Sequence, residues 1–192
     1  PEDTGTYPKS ALVTTDTEIE SQSMVDYLCS CGHKRIAFIT SGDEGLGRCH
    51  LNGYKRSLEK NGLEYDEKLI IRLKPGKRIY TIENGYNCTC ELLKSGVDFS
   101  CIYAISDTLA VGACRAVIDS GKRVPEDYCV AGADGQDIAE YYHPSITTLK
   151  YPRVETALQS VRTLFDLIDR KKVVKRQILG GTLIERESTR KL

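Results

Sequence analysis

The regular alternation of predicted strands and helices is the feature that most constrains how this 192-residue chain folds. Apolar, β-branched runs such as residues 35–40 and 100–104 predict buried strands. The stretches after them carry apolar residues every three to four positions, and several end on a glycine such as Gly32, Gly96 or Gly121, which predicts helices with glycine C-caps. Short connections between such elements favour β-α-β units with right-handed crossovers. The sequence therefore predicts an α/β fold with a parallel sheet flanked by helices on both faces.

Composition excludes several classes of protein. The 27 basic and 27 acidic residues cancel, whereas a DNA-binding domain usually carries a basic surplus. No apolar run is long enough to span a bilayer, and the N-terminal residues lack an apolar signal-peptide core, so the cytoplasm is the predicted location. The eight cysteines contain no Cys-x-x-Cys pair and are interpreted as structural thiols. No catalytic or metal-binding motif is recognised, so we expect no enzyme, no metal and no cofactor.

Ligands of parallel α/β sheets bind outside the carboxyl ends of the strands. This rule selects four predicted loops at residues 41–48, 73–81, 105–108 and 133–136. Arg48 and His50 are predicted near the start of a helix, where free N–H groups and their side chains could bind a polar ligand. Asp107 is predicted to be the N-cap of the next helix. Asp134 follows a strand and a glycine, in a position to bind a ligand hydroxyl.

Taken together, short motifs along most of the chain resemble the lac/galactose-repressor (LacI/GalR) family. They occur in the expected order from about residue 7 to residue 189. The motifs are Val13-x-x-Asp16, Leu28-x-x-x-Gly32-His33-Lys34-Arg35-Ile36-Ala37-Phe38-Ile39, Arg48 with Gly53-Tyr54, Ser106-Asp107-x-x-Ala110-x-Gly112, Val124-Pro125-Glu126-Asp127, Gly132-x-Asp134, Ile146-Thr147-Thr148 and Arg186-Glu187-Ser188-Thr189.

The resemblance implies a sensor domain of the periplasmic-binding-protein type, truncated at its N-terminus. Residues 13–150 and 180–192 would form the C-terminal lobe, residues 1–12 the end of the N-terminal lobe, and residues 151–179 its returning helix and strand. The family's helix-turn-helix headpiece would be absent. The apolar stripe of the predicted helix 153–169 would normally cover the rest of its lobe, and we expect that stripe, left exposed, to drive self-association.

The resemblance also implies ligand-binding positions. Asp134 matches the acidic residue that binds ligand hydroxyls, and Ser106 stands where many members have Asn. Tyr80 matches a position that places an aromatic ring against a sugar, and Tyr151 lies in the crossover between the lobes. His50 occupies the usual position of a ligand-binding Arg, and Arg48 matches a neighbouring Arg. Because His lacks the bidentate fork of Arg, the effector is expected to differ from the usual sugars.

The function that this resemblance implies is effector sensing by a bacterial transcriptional regulator. A small polar ligand, a sugar or a nucleoside-like molecule, would control how a homodimer binds operator DNA through the headpiece. A periplasmic-type sugar-binding protein of a transport system is the alternative, because its fold would be the same. An enzyme that uses the close cysteine pairs, Cys29 with Cys31 and Cys88 with Cys90, is a third interpretation.

Overall fold

The computed structural model describes residues 10–74, 76 and 78–192, which divide into two units. The large unit contains residues 17–150 and 183–192, and the small unit contains residues 10–16 and 151–182. The lobe boundary predicted between residues 12 and 13 falls inside a strand, which the structure keeps whole in the small unit. Residues 1–9 of the predicted segment 1–12 lie outside the described residues.

The elements follow the predicted order, with ends that differ by a few residues. The strands are β1 (Leu12–Thr15), β2 (Ile36–Thr40), β3 (Ile70–Arg72), β4 (Cys101–Ala104), β5 (Cys129–Asp134), β6 (Thr147–Lys150), β7 (Arg176–Leu179) and β8 (Thr182–Ile184). The α-helices are α1 (Thr17–Ser30), α2 (Gly45–Lys60), α3 (Ile82–Lys94), α4 (Asp107–Asp119), α5 (Asp137–Tyr141) and α6 (Arg153–Ile168). A short 3-10 helix, Glu67–Leu69, precedes β3.

The sheet of the large unit has the strand order β3-β2-β4-β5-β6-β8. The pairs β2–β3, β2–β4, β4–β5 and β5–β6 are all parallel. The prediction of a parallel α/β sheet is therefore confirmed. Since β3 and β4 lie on opposite sides of β2, the strand order reverses there. The carboxyl ends of β2 and β4 thus flank a topological switch point, where open parallel sheets bind their ligands.

Aromatic stacking fills the centre of this sheet. All five residues of β2 are buried, as expected of a parallel strand covered on both faces. The ring of Phe38 stacks on those of Tyr54 and Tyr103, with centroids 5.0 and 5.1 Å away. The Tyr54 hydroxyl donates a hydrogen bond of 2.8 Å to the Ile36 carbonyl, which satisfies the polar end of this buried side chain.

Two pairs of helices pack closely, α1 with α2 and α3 with α4. Glycines make this approach possible. A Cβ on Gly112 of α4 would lie 2.0 Å from the carbonyl oxygen of Ile82, and one on Gly53 of α2 would lie 2.2 Å from that of Glu18. Side chains at these positions would push the helices apart, so Gly53 and Gly112 set the spacing of the helices around the sheet.

The last ten residues complete the large unit. The N–H of Val130 donates to the Ser188 carbonyl over 2.9 Å, and the Ser188 hydroxyl donates to the Val130 carbonyl. The N–H of Leu192 donates to the Cys31 carbonyl at 2.8 Å, at the end of α1. This C-terminal segment therefore connects β5 and α1 through backbone hydrogen bonds.

The small unit consists of the parallel pair β1–β7 and the helix α6. Thr163 is the buried residue of α6, and its hydroxyl accepts a hydrogen bond from the Gln177 side chain of β7. The apolar residues predicted to form a stripe on this helix are between 51% and 64% exposed, and they are Leu158, Val161, Leu164, Phe165 and Ile168. The amphipathic helix is confirmed, whereas self-association through it stays a prediction. Among the described residues, no helix combines the length and the apolar character needed to cross a membrane.

Candidate functional site

The candidate site lies at the carboxyl edge of the large sheet, beside the switch point. Ser106 lies two residues after the end of β4 and is 4% exposed. Its hydroxyl oxygen accepts the N–H of Leu109 at 3.3 Å and so caps α4. The prediction that Asp107 is the cap was wrong, because Asp107 is the first residue of the helix and its carboxylate faces elsewhere. The sequence offered two adjacent capping residues, and the first of them takes that role.

Asp107 instead bonds to β6 and to the turn that follows β5. Its side chain is fully buried. Oδ1 accepts the hydroxyl of Thr148 on β6, and Oδ2 accepts the backbone N–H of Gln136 at 2.6 Å. Burial raises the pKa of this carboxyl to about 6, although both hydrogen bonds oppose that shift. Sequence analysis did not assign this role, and the only signal for it was an acidic residue at the start of the helix that follows a strand.

Asp134, the last residue of β5, adopts an unusual backbone conformation. Its φ is 104°, a region that residues other than glycine rarely adopt and that costs about 1–3 kcal/mol. Its carboxylate accepts a hydrogen bond of 2.8 Å from the Gln136 side chain and remains half-buried at the edge of the sheet. Hydrogen bonds thus link Asp134 through Gln136 to Asp107, the residue next to Ser106. Such strain is common at ligand-binding positions.

His50 lies on the buried face of α2, at 6% exposure. It precedes Tyr54 by one helical turn, and the Tyr54 hydroxyl reaches the amino end of β2. Because α2 runs antiparallel to the strand before it, His50 lies nearer the carboxyl end of β2. Burial lowers the pKa of His50 to about 4, so the imidazole is neutral at pH 7.

Two buried polar atoms on β2 and α2 have no hydrogen-bond partner within the described part of the chain. They are Nδ1 of His50 and the hydroxyl oxygen of Thr40, the last residue of β2. Buried polar atoms are nearly always bonded to protein, water or ligand. Thr40 was missed by sequence analysis, since a Thr at the end of a strand is ordinary. These two atoms are therefore able to form further hydrogen bonds at the carboxyl edge of the sheet, where Asp134 also lies.

Arg48 and Tyr80 do not join this cluster of buried groups. Arg48 is exposed on α2, and its N–H is already bonded to the Glu44 carbonyl at 3.3 Å. The free N–H group expected near Arg48 is therefore not there, because α2 begins three residues earlier. Tyr80 is 45% exposed in the loop before α3. Ligand contacts by either side chain stay predictions.

Tyr151 belongs to the small unit. It lines a recess of about 400 Å³ with residues of β1 and of the start of α6, namely Val13, Thr14, Thr15, Arg153, Thr156 and Ala157. The hydroxyls of the threonines and of Tyr151 and the guanidinium of Arg153 make this recess compatible with a polar ligand. The ligand contact predicted for Tyr151 also stays a prediction.

Comparison with known proteins gives a consistent answer. The model of the periplasmic binding protein-like domain matches residues 25–189. The HTH-type transcriptional regulator MalR of Clostridium butyricum is 41% identical over 146 residues, which cover 76% of this chain and 42% of that protein. The chain belongs to the LacI family, in its periplasmic-binding-protein-like domain. It spans about half the length of the curated relatives that it matches.

Solved structures of LacI-family regulators match nearly the whole of this chain. A sugar-binding LacI-family regulator from Escherichia coli, complexed with phosphate, superposes with a TM-score of 0.85 at 31% identity, over 93% of this chain and 63% of that one. A LacI-family regulator from Enterococcus faecium with bound ribose has a TM-score of 0.83 at 29% identity, over 96% and 67%. The family resemblance predicted from the sequence is thereby confirmed, and the relatives are regulators rather than enzymes.

The thiols of this LacI-type domain are buried or half-buried, and all eight cysteines are free. Burial raises the pKa of five of them, which disfavours the reactive thiolate, and these are Cys29, Cys88, Cys101, Cys114 and Cys129. Within residues 10–74, 76 and 78–192, no group of three or more His, Cys, Asp or Glu side chains is placed to hold a metal ion.

Proposed function

We propose that this chain is the effector-sensing part of a bacterial LacI-type transcriptional regulator. The effector is a small polar molecule, a sugar or nucleoside-like compound, that binds at the carboxyl edge of the large sheet. The observation that carries the proposal is the strained Asp134, linked through Gln136 to Asp107, the residue next to Ser106, at the edge that also carries the unpartnered Nδ1 of His50. The bound ribose of the Enterococcus faecium relative agrees with this ligand class.

Each buried group has a distinct part in the proposal. The Asp134 carboxylate accepts ligand hydroxyls, as an ionised carboxylate can accept several hydrogen bonds. The neutral imidazole of His50 forms a single hydrogen bond with the ligand, where the guanidinium of an Arg would form two charged ones. Arg48, Tyr80 and Tyr151 would contribute at the margin of the site. A neutral, hydroxyl-rich effector suits this combination better than one that requires bidentate recognition.

The full-length protein would act as a cytoplasmic homodimer on operator DNA. Apolar side chains exposed on α3, α4 and α5 support a contact between subunits, and these are Ile82, Ile118 and Tyr141. Effector binding would favour one arrangement of the regulator over another and so change its affinity for DNA. Burial raises the pKa of Cys29 and of Cys88, one thiol in each close pair, and this rise, together with the names of the relatives, disfavours the enzyme interpretation.

Asp134→Asn in the full-length regulator tests the effector site. A panel of neutral monosaccharides, disaccharides and nucleosides is first screened by thermal shift, and the binders are then titrated by calorimetry. Loss of the carboxylate should weaken binding by about tenfold or more, because a hydrogen bond to a charged group contributes about 1.5–3 kcal/mol. Asp137→Asn is the matched control, since Asp137 is exposed three residues away.

Two results would contradict the proposal. One is a screen in which no compound of the panel raises the melting temperature of the full-length protein. The other is an Asp134→Asn variant that binds as tightly as the Asp137→Asn control. A gel-shift titration with operator DNA separates regulator from transport protein, since the regulator should bind a palindrome as two chains and respond to the effector.

A further inference from the structure

The turn between β5 and α5 has a backbone conformation that its own sequence does not enforce. Asp134 has a φ of 104° and Gly135 a φ of 65°, so two consecutive residues lie in the left-handed region. Glycine adopts this region freely, whereas Asp adopts it in a small minority of cases and at a cost in conformational free energy. Position 135 also has no room for a side chain, because a Cβ there would lie 2.6 Å from the Cα of Lys150.

The hydrogen bonds that stabilise this turn lead to one buried carboxylate, that of Asp107. The N–H of Gln136 donates to Asp107 Oδ2 at 2.6 Å. The N–H of Gly135 donates to the Thr148 hydroxyl oxygen at 3.3 Å, and that hydroxyl donates to Asp107 Oδ1. Both backbone N–H groups after Asp134 are therefore bonded, directly or through Thr148, to the Asp107 carboxylate.

The structure also provides space for this carboxylate. A Cβ on Gly132 of β5 would lie 2.4 Å from Asp107 Oδ1, so only glycine there leaves room for it. Helix capping does not account for Asp107, because Ser106 caps α4. Burial without an ion-pair partner is unfavourable for a carboxylate, as the rise of its pKa to about 6 indicates. The remaining role for this side chain is at the turn.

We propose that Asp107 is a positioning residue of the effector site, which fixes the turn 134–136 and so presents the Asp134 carboxylate to the ligand. Asp107 itself is fully buried and acts through Asp134 rather than by touching the effector. The proposal rests on the proposed function, because that function gives Asp134 its role. Specificity would then depend on α4 as well as on the residues that face the ligand.

Amide hydrogen exchange on this chain, resolved by residue with NMR, tests the proposal without a ligand. In Asp107→Asn, the amides of Gly135 and Gln136 should exchange about tenfold faster or more, while the amides of β4 change by less than about twofold. Asp137→Asn should leave both groups of amides unchanged. A second pair examines Thr148 should Asp107→Asn not fold: Thr148→Val should speed exchange at Gly135, and Thr148→Ser, which keeps the hydroxyl, should restore protection.

Three results would overturn the positioning role. They are unchanged exchange at the turn in Asp107→Asn, equal acceleration at the turn and in β4, and no difference between Thr148→Val and Thr148→Ser. The experiments distinguish failure of the proposed effector site from failure of the positioning role of Asp107. If Asp134→Asn still binds the effector while Asp107→Asn loosens the turn as expected, the assigned effector site is wrong and the control of the turn by Asp107 is supported.

Discussion

Leu109 of α4 and Leu164 of α6 come from the same kind of amphipathic sequence, yet their environments differ completely. Leu109 is 0% exposed in the large unit, whereas Leu164 is 55% exposed in the small unit. In the large unit, α3 and the sheet cover α4. In the small unit, a two-stranded sheet contacts α6 and leaves its apolar stripe in solvent. Apolar periodicity therefore predicts which residues share a helix face, and the amount of surrounding structure decides whether that face is buried.

The largest effect is expected from truncating matched leucines. Leu109→Ala should lower the free energy of unfolding by about 2–5 kcal/mol, because it leaves a cavity in a packed core. Leu164→Ala should change it by less than about 0.5 kcal/mol, since the side chain is mostly exposed. Urea unfolding followed by circular dichroism measures both. Equal losses for the two variants would show that the stripe on α6 is covered in solution, and the contrast between the units would then disappear.

A smaller effect is expected from adding one methyl group in each unit. Gly112→Ala places a Cβ 2.0 Å from the Ile82 carbonyl oxygen and 2.7 Å from the Tyr86 nitrogen, which should cost about 1–3 kcal/mol as α3 and α4 separate. Gly180→Ala in the small unit has no atom within 4 Å and should be neutral or slightly stabilising. The same urea experiment compares them. A Gly112→Ala variant as stable as the parent would mean that the close helix contact does not set the spacing.

The smallest effect is expected from lowering the pH, which should reduce the free energy of unfolding through His50. The pKa of His50 is about 4 in the folded chain, below its ordinary 6.5. Between these values the unfolded chain binds a proton that the folded chain does not, so His50 lowers the free energy of unfolding as the pH falls below 6.5. Between pH 7 and pH 5.5 this loss should be about 1 kcal/mol. This loss of stability arises in the large unit, which contains all three histidines of the chain.

Replacing His50 by Gln should remove that part of the acid sensitivity, measured as the free energy of unfolding at the two pH values. His143→Gln is the control, because the His143 side chain is 90% exposed. A His50→Gln variant whose stability falls with acid as steeply as that of the control would refute the assignment of a buried neutral imidazole.

Much of the fold could be predicted because its signals are local. Apolar runs such as Ile36–Thr40, and glycines such as Gly121 after α4, mark strands and helix ends within a few residues. The predicted boundary at residues 12–13 falls inside β1, because β1 pairs with β7, about 160 residues away, and a short strand carries no signal for its partner. Parallel pairing across such distances is decided by tertiary structure.

The candidate site was only partly predictable. Asp134 ends β5 and Ser106 lies two residues after β4, so the rule for parallel sheets predicts both at the carboxyl edge of the sheet. The exposure of Arg48 and the burial of His50 depend on where each residue falls around α2. Their ligand contacts were predicted from the motif, which does not show which face of the helix each residue occupies. The bonds of Asp107 to Thr148 and to Gln136 join residues that are 41 and 29 positions apart, respectively, which no local pattern reveals.

The C-terminal segment has a consequence for how the protein is made. The large unit is built from residues 17–150 and 183–192, so the ribosome must synthesise residues 151–182 before the bonds of Ser188 to β5 and of Leu192 to the end of α1 can form. Contacts between such distant residues slow folding, because the intervening chain must be closed into a loop first. Chains whose synthesis stops before residue 183 would leave the backbone of β5 without its last partner, and such incomplete sheets are prone to aggregation.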